Sequence, residues 1–109
     1  MGFRLIGLPV KVIFGTKKLE KCYLDHSQGR RAWGPEVGRK YIQRIDILQE
    51  ASDMAEVRKL PGLACHPLKG GRKEQFGITL HGRWRLIFSL QGDKARIIRV
   101  EEVSKHYGD

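Results

Sequence analysis

The spacing of apolar residues predicts a strand and then a helix near the start of the chain. Every second residue of 10–14 is apolar and Gly15 follows, a pattern typical of a strand with a buried face. Thr16 is a suitable N-cap for the next helix. The apolar stripe of this helix consists of Leu19, Cys22, Tyr23 and His26. Residues 27–29 are expected to weaken or end it, and Gly34 marks a clear break.

A second helix is predicted from Pro35, because a proline followed by an acidic residue suits the first helical turn. Its apolar stripe consists of Val37, Tyr41, Ile45, Leu48 and Ser52, widened by Ile42 and Ala55. The helix is expected to fade around 58–60, since the Pro61-Gly62 pair stops it.

The second half of the chain has the period of two that is typical of strands. Residues 63–69 are predicted to be extended, Gly70-Gly71 to turn the chain, and His81-Gly82 to form a tight turn. The apolar side chains that should share one face of the two strands around this tight turn are Phe76, Ile78, Leu80, Trp84, Leu86, Phe88 and Leu90. After a turn at 91–93, residues 95–103 are predicted to form a final strand.

The predicted order β-α-α-β-β-β indicates an α+β fold, with two helices packed on one face of a mainly antiparallel sheet. A length of 109 residues suits a single domain, 1–109, in which residues 1–8 are expected to form a loose extension. No window approaches the ~18 apolar residues of a membrane span, and the N-terminus lacks a signal-peptide pattern. Cys22 and Cys65 are distant in sequence, which favours buried reduced thiols over a zinc site. Reduced thiols in turn fit a cytoplasmic location.

The net charge of +9 favours anionic partners: nucleic acid first, an acidic protein second and a membrane surface third. Both halves of the chain share the excess of 21 basic over 12 acidic residues, so a basic tail does not explain it. A group of basic residues on the predicted helices is explained as well by a solvated surface as by contact with RNA: Arg30, Arg31, Arg39, Lys40 and Arg44.

The densest candidate chemistry lies in 66–85, where two histidines, two lysines and three arginines accompany one acid. Strand alternation places Arg83 and Arg85 on one face, opposite Trp84. A solvated polar sheet face is the plainer interpretation, and the excess of cations favours an anion site over it modestly. Residues 104–107, Ser-Lys-His-Tyr, add groups of the same kind. Whether these two stretches meet in space therefore decides the function.

The histidines differ in how well a structural role explains them. His26 continues a helical stripe, and His81 lies in a turn, so both are better explained without chemistry. For His66, which precedes a proline in an extended segment, structure and function are evenly matched.

Three segments resemble the HigB group of the RelE/ParE toxin superfamily: LPGLACHPLKG, GRWRLIF and the ending EEVSKHYGD. The resemblance extends from about Val10 to the C-terminus and is strongest over 60–109. It implies a compact RelE-like fold and a toxin of a type II toxin–antitoxin system. Toxins of this group cleave mRNA on the translating ribosome and use no metal or other cofactor. The resemblance also implies a cognate antitoxin with a helix-turn-helix DNA-binding domain.

The resemblance assigns roles to particular residues. The positions that match the catalytic motif are His66, Lys69, Arg85, His106 and Tyr107. The secondary RNA contacts implied beside them are Arg72, Lys73, Arg83 and Lys105. The tail departs from those family members that place an acid and a tyrosine before the terminal histidine, because Ser104 and Lys105 stand there in this sequence.

The implied reaction is attack of a 2′-hydroxyl on the adjacent phosphate, which requires a base, positive charge and an acid. Histidine suits proton transfer because its ordinary pKa of ~6.5 lies near neutrality, and arginine binds phosphate oxygens as a planar fork. We expect His106 or His66 to take the proton, and Arg85 with Lys69 to stabilise the transition state. The other histidine, or Tyr107, would protonate or orient the leaving group.

Two other functions are compatible with the sequence. A ParE-like toxin would share the fold and bind DNA gyrase without cleaving RNA, although the histidines and cations named above argue against it. A basic RNA-binding module would bind RNA without cleavage, and its histidines would be incidental.

Overall fold

The computed structural model describes residues 10–68 and 74–105. Over these ranges the chain forms four α-helices: α1 (Lys17–Leu24), α2 (His26–Trp33), α3 (Pro35–Glu50) and α4 (Met54–Lys59). Five strands accompany them: β1 (Lys11–Phe14), β2 (His66–Pro67), β3 (Gln75–His81), β4 (Trp84–Gln91) and β5 (Ile97–Lys105). Short 3-10 turns cover Pro61–Leu63 and Asp93–Ala95.

The strands form one sheet in the order β1-β5-β4-β3-β2, in which β1 runs parallel to β5 and all other pairs are antiparallel. The alternating apolar residues of β3, β4 and β5 turn to one face, where they join the helices in a single core. Side chains that are almost completely buried in this core include Tyr41, Ile45, Leu48, Ile78, Leu80, Leu86, Phe88, Ile98 and Val100. The predicted α+β class with a mainly antiparallel sheet is therefore confirmed.

The first predicted helix is in fact two helices, divided at Asp25. This residue is extended (φ −140°, ψ 108°), and its carboxylate accepts hydrogen bonds from the backbone N–H of Ser27 at 3.0 Å and from the Ser27 hydroxyl at 2.8 Å. Residues 27–29 therefore belong to the start of α2, and the prediction that they end a helix was wrong. His26 is the exposed first residue of α2 and does not continue a buried stripe.

The second predicted helix is also divided, because Asp53 begins a new one. The Asp53 carboxylate accepts a hydrogen bond from the backbone N–H of Glu56 at 3.0 Å, and the Glu56 carboxylate accepts one from the backbone N–H of Ser52 at 2.7 Å. The bond to Asp53 is a side-chain N-cap, which satisfies a backbone donor that the helix itself leaves unpaired, and the bond to Glu56 fixes the residue before the cap. Helix α3 ends at Glu50, eight or more residues earlier than the stripe predicted.

Arg44 has a structural role rather than the RNA contact considered for it. Its Nε donates to the carbonyl of Thr79 at 3.0 Å, and its Nη2 lies 3.5 Å from the carbonyl of Gly62. The β3–β4 register shifts between Thr79 and His81, so the arginine pairs with a carbonyl at an irregularity of the sheet. Partial burial lowers the pKa of Arg44. The guanidinium thus joins α3 to β3 and is committed to backbone carbonyls.

Tyr41 is expected to make stability fall at alkaline pH. Its buried hydroxyl donates to the carbonyl of Leu19 at 2.8 Å, and burial raises its pKa well above the ordinary value of 10. Unfolded chains release this proton near pH ~10 while the folded state retains it. The contribution is therefore complete below pH ~10 and is lost as the pH rises above it.

Tyr41→Phe tests this expectation through urea unfolding from about pH 8 to about pH 11. The variant should lose about 1 kcal/mol of unfolding free energy at neutral pH, because the hydrogen bond is gone. Its stability should then decline less steeply with pH than that of the wild type. An unchanged decline in the variant would mean that another group causes it.

Candidate active site

The face of the sheet that points away from the helices brings two predicted stretches together. We call it the open face. One row across it consists of Thr79, Arg85 and Ser104, on β3, β4 and β5. The next row consists of His66, Gly77, Ile87 and Glu102, on β2 to β5. The end of β5 therefore lies directly beside the start of β4, so the described part of the tail meets the hairpin.

Arg85 occupies the open face because its neighbours Trp84 and Leu86 turn towards the core. Its Nη1 donates to the carbonyl of Gly82 at 2.9 Å and to the carbonyl of Trp84 at 3.1 Å, which holds the guanidinium at the β3–β4 turn. Both of these hydrogen bonds come from Nη1, and the Arg85 side chain is half-buried. The two hydrogen bonds hold the Arg85 guanidinium, and with it a positive charge, in a defined position at the edge of the open face.

His66 is held by the backbone on one side and by the sheet on the other. Its Nδ1 lies 3.1 Å from the carbonyl oxygen of Ala64. Its partner across the β2–β3 ladder is Gly77, whose missing side chain leaves room for the ring. His66 and Arg85 lie two strands apart and in neighbouring rows of the open face, so their backbones are about 12 Å apart.

The remaining predicted residues are distributed around this pair. Arg83 is exposed in the β3–β4 turn and not within β4, so strand alternation does not set its direction. His81 is exposed at the end of β3, opposite Trp84, as a turn residue would be. Lys105 is exposed at the last position of β5. The predictions for Lys69, Arg72, Lys73, His106 and Tyr107 lie outside the described residues, as does the loose extension at 1–8.

The sequence interpretation missed an apolar floor on the open face. Ile87 is completely buried although it points away from the helices. A Cβ built on Gly77 would lie 3.4 Å from Ile87 Cδ1 and 3.4 Å from Leu68 Cδ2. Leu68, Ile87 and the His66 ring thus all border the space beside Gly77. The double apolar pair Leu86-Ile87 in β4 was the available signal, since a strand with one wet face should alternate.

Glu101, an acidic residue of the open face, is engaged in hydrogen bonds with neighbouring side chains. Glu101 accepts bonds from the Ser89 hydroxyl and from Arg99 Nη1, both at 2.6 Å. It lies where the β4–β5 register shifts, opposite the step from Ile87 to Phe88. Arg99 also approaches the carbonyl of Gly15, at 3.4 Å. This cluster anchors β1 and β5, and neither Arg99 nor Glu101 is available as a simple surface charge.

Both cysteines are free thiols in the structure, and of the two only Cys22 is buried as predicted. Cys22 is buried in the core and Cys65 is half-buried directly before β2, and burial raises the pKa of each. Over residues 10–68 and 74–105 no cluster of three or more His, Cys, Asp or Glu side chains has the geometry to hold a metal ion. No helix in the same ranges is long and apolar enough to cross a membrane.

The sheet order and the placement of the helices on one face of the sheet define a compact α+β domain. A solved structure with this fold is a YoeB/ParE toxin from Agrobacterium tumefaciens, which superimposes with a TM-score of 0.53. The match covers 89% of this chain and 99% of that chain, at 13% sequence identity. At this identity the likeness is one of fold, and it confirms the predicted architecture. No protein-family model and no curated protein sequence matches the chain.

Proposed function

We propose that this protein is the toxin of a toxin–antitoxin pair and acts as a ribosome-dependent endoribonuclease of HigB type. The observation that carries the proposal is the meeting of His66, Arg85 and the end of β5 on one face of a RelE-like sheet. The fold shared with a YoeB/ParE toxin supports the class of protein. The net charge of +9 supports an RNA substrate, because phosphate contacts are made by cations.

In the proposed reaction, mRNA bound to a translating ribosome lies across the open face. The 2′-hydroxyl attacks the adjacent phosphate, so a 2′-O–P bond forms, the P–O5′ bond breaks, and a cyclic phosphate and a 5′-hydroxyl result. Arg85 binds the phosphate oxygens as negative charge develops on them, and Lys69 adds a second positive charge. Histidines or Tyr107 transfer the two protons. All of these groups are side chains of the protein, and the proposal requires no metal.

The proposal also implies partners and a location. Arg72, Lys73, Arg83 and Lys105 would contact mRNA or ribosomal RNA around the site, which would make affinity fall with added salt. A cognate antitoxin with a helix-turn-helix domain would neutralise the toxin. Because its substrate would be mRNA on translating ribosomes, the protein would act in the cytoplasm.

Incubation with mRNA in the presence and absence of translating ribosomes tests the proposal. We expect cleavage at defined codons only with ribosomes, and the same cleavage in the presence of EDTA. Lys59→Ala is the matched control, since it removes one positive charge from an exposed position at the end of α4. Its cleavage should equal that of the wild type.

The other two functions give different results in the same assays. Inhibition of DNA gyrase supercoiling without any RNA cleavage would replace the proposal with a ParE-like function. RNA binding that never leads to cleavage, with or without ribosomes, would leave a basic RNA-binding module.

A further inference from the structure

Arg44 reaches from α3 to the part of β3 that lies opposite Arg85. Its Nε donates to the carbonyl of Thr79 at 3.0 Å, and Thr79 and Arg85 are directly paired in the β3–β4 ladder. The bonded peptide therefore belongs to the strand segment that flanks the proposed phosphate-binding group. From the helical layer, the Arg44 side chain thus contacts the sheet at the place where that group is held.

Strand β3 is irregular at this position. Thr79 and His81 have partners on β4 that are neighbours in sequence, so Leu80 between them is an extra residue on β3. An extra residue of this kind forms a β-bulge, which bends its strand and redirects the side chains beside it. Leu80 is 2% exposed and packs in the core, while Arg44 holds the carbonyl just before it. One apolar and one polar contact therefore fix the bulge.

The residues after the bulge form the turn that tethers Arg85. His81 pairs with the first residue of β4, which leaves a two-residue turn between the strands. Gly82 in this turn has a φ of 59°, which favours glycine, and its carbonyl accepts a bond from Arg85 Nη1 at 2.9 Å. The direction in which β3 leaves the bulge sets the place of this carbonyl. A continuous series of contacts therefore leads from Arg44 through the bulge and the turn to the Arg85 guanidinium.

Each of the three guanidinium nitrogens of Arg44 faces a different acceptor within the protein. Nε contacts the Thr79 carbonyl at 3.0 Å, Nη1 the Gln43 side-chain oxygen at 3.3 Å, and Nη2 the Gly62 carbonyl at 3.5 Å. Because a guanidinium is planar, contacts in three directions fix its orientation. Partial burial also lowers the pKa of Arg44 through desolvation. A group in these surroundings is suited to hold backbone in place and not to bind a phosphate.

We infer that Arg44 is a positioning residue for Arg85 in the proposed cleavage reaction. It fixes the bulge at Leu80, and hence the turn whose carbonyl holds the Arg85 guanidinium, without touching the RNA. The inference rests on the proposed endoribonuclease function and adds to it a residue of the helical layer. A displacement of about 1 Å in a group that acts in the transition state can lower a rate about 100-fold, so a small movement of the turn is enough to matter.

The structural part of the inference is tested on the isolated protein, without RNA or ribosomes. Arg44→Met removes the donor nitrogens and keeps a long unbranched side chain. We expect it to shift the backbone amide signal of Gly82 and the side-chain Nε–H signal of Arg85 in ¹H–¹⁵N spectra. Lys59→Met, which removes one positive charge from an exposed position at the end of α4, should leave both signals in place. Unmoved Gly82 and Arg85 signals in a folded Arg44→Met protein would overturn the inference.

Cleavage on ribosomes tests the effect on the reaction. Arg44→Met should lower kcat by about tenfold with KM little changed, since the charge of Arg85 is present but less well placed. Arg44→Lys should recover part of this loss, because an ammonium group can still donate to the Thr79 carbonyl. Gly38→Ala is the control for stability. A Cβ on Gly38 would lie 2.9 Å from the backbone of α2, so it disturbs the helices and not the sheet, and the folded variant should keep the kcat of the wild type.

A double-mutant cycle tests whether Arg44 acts through Arg85. Arg44→Met should cost about tenfold in the wild-type background but less than about twofold in Arg85→Ala, whose guanidinium is already gone. An equal loss in both backgrounds would mean that Arg44 acts independently of Arg85, which would disprove the inference and leave the proposed function intact. No cleavage by the wild type under any condition would instead remove the proposed function, and the spectra would still decide whether Arg44 holds the turn.

Discussion

Arg85→Ala is expected to lower the rate of mRNA cleavage by about 10²–10³-fold, the loss typical when one preorganised donor to a developing charge is removed. The guanidinium is tethered to the carbonyls of Gly82 and Trp84, so it needs little rearrangement to meet a phosphate. Preorganisation of this kind is what makes a charged group effective in a transition state. The loss should therefore appear in kcat, measured in a reconstituted translation assay with a defined mRNA.

Arg85→Lys separates charge from geometry. It keeps the positive charge but not the planar fork, so we expect an intermediate rate, well below that of the wild type. The two backbone bonds lost in Arg85→Ala contribute about 1–3 kcal/mol to stability, so thermal unfolding must show that the variant is folded at the assay temperature. Equal rates for Arg85→Ala and the wild type would place the phosphate elsewhere on the molecule.

The β half of the fold was predictable because its signal is local and regular. Alternation in β3 and β4 placed Leu86 and Phe88 in the core and Arg85 opposite them, and the structure agrees. The helical half was predicted less well, because two long apolar stripes outweighed two short capping signals. Asp25 and Asp53 each satisfy backbone donors at a new helix start, and that local hydrogen bonding decides where the helices divide.

The candidate site was only partly predictable, for a different reason. Its charged residues are visible in the sequence, whereas the contacts that hold them depend on strands far apart in the chain. Leu68 and Ile87 both come close to Gly77 only after β2, β3 and β4 have paired, and no local pattern contains that arrangement. Arg44 is a similar case. Its charge suggested a contact with RNA, whereas its structural role is seen only in the hydrogen bonds to the carbonyls of Thr79 and Gly62.

The approach of α2 to α3 leads to the second large effect, a loss of stability in Gly38→Ala. These helices are joined directly at Gly34, whose φ of 94° favours glycine, and they come closest at Gly29 and Gly38. A Cβ on Gly38 would lie 2.9 Å from the backbone nitrogen of Arg30 and 3.0 Å from the backbone carbon of Gly29. Those atoms belong to α2 itself and cannot yield as a flexible side chain would.

In an exposed helix, alanine would stabilise by about 1 kcal/mol relative to glycine, so the sign of the effect identifies the cause. We expect Gly38→Ala to lower the unfolding free energy by about 1–3 kcal/mol, the usual cost of overpacking, because α2 must move away from α3. Urea unfolding measures the change, and Gly62→Ala, whose methyl group enters open space, should stay within about 0.5 kcal/mol of the wild type. A Gly38→Ala protein as stable as the wild type would mean that α2 and α3 separate at little cost and that their close contact does not hold the helical layer together.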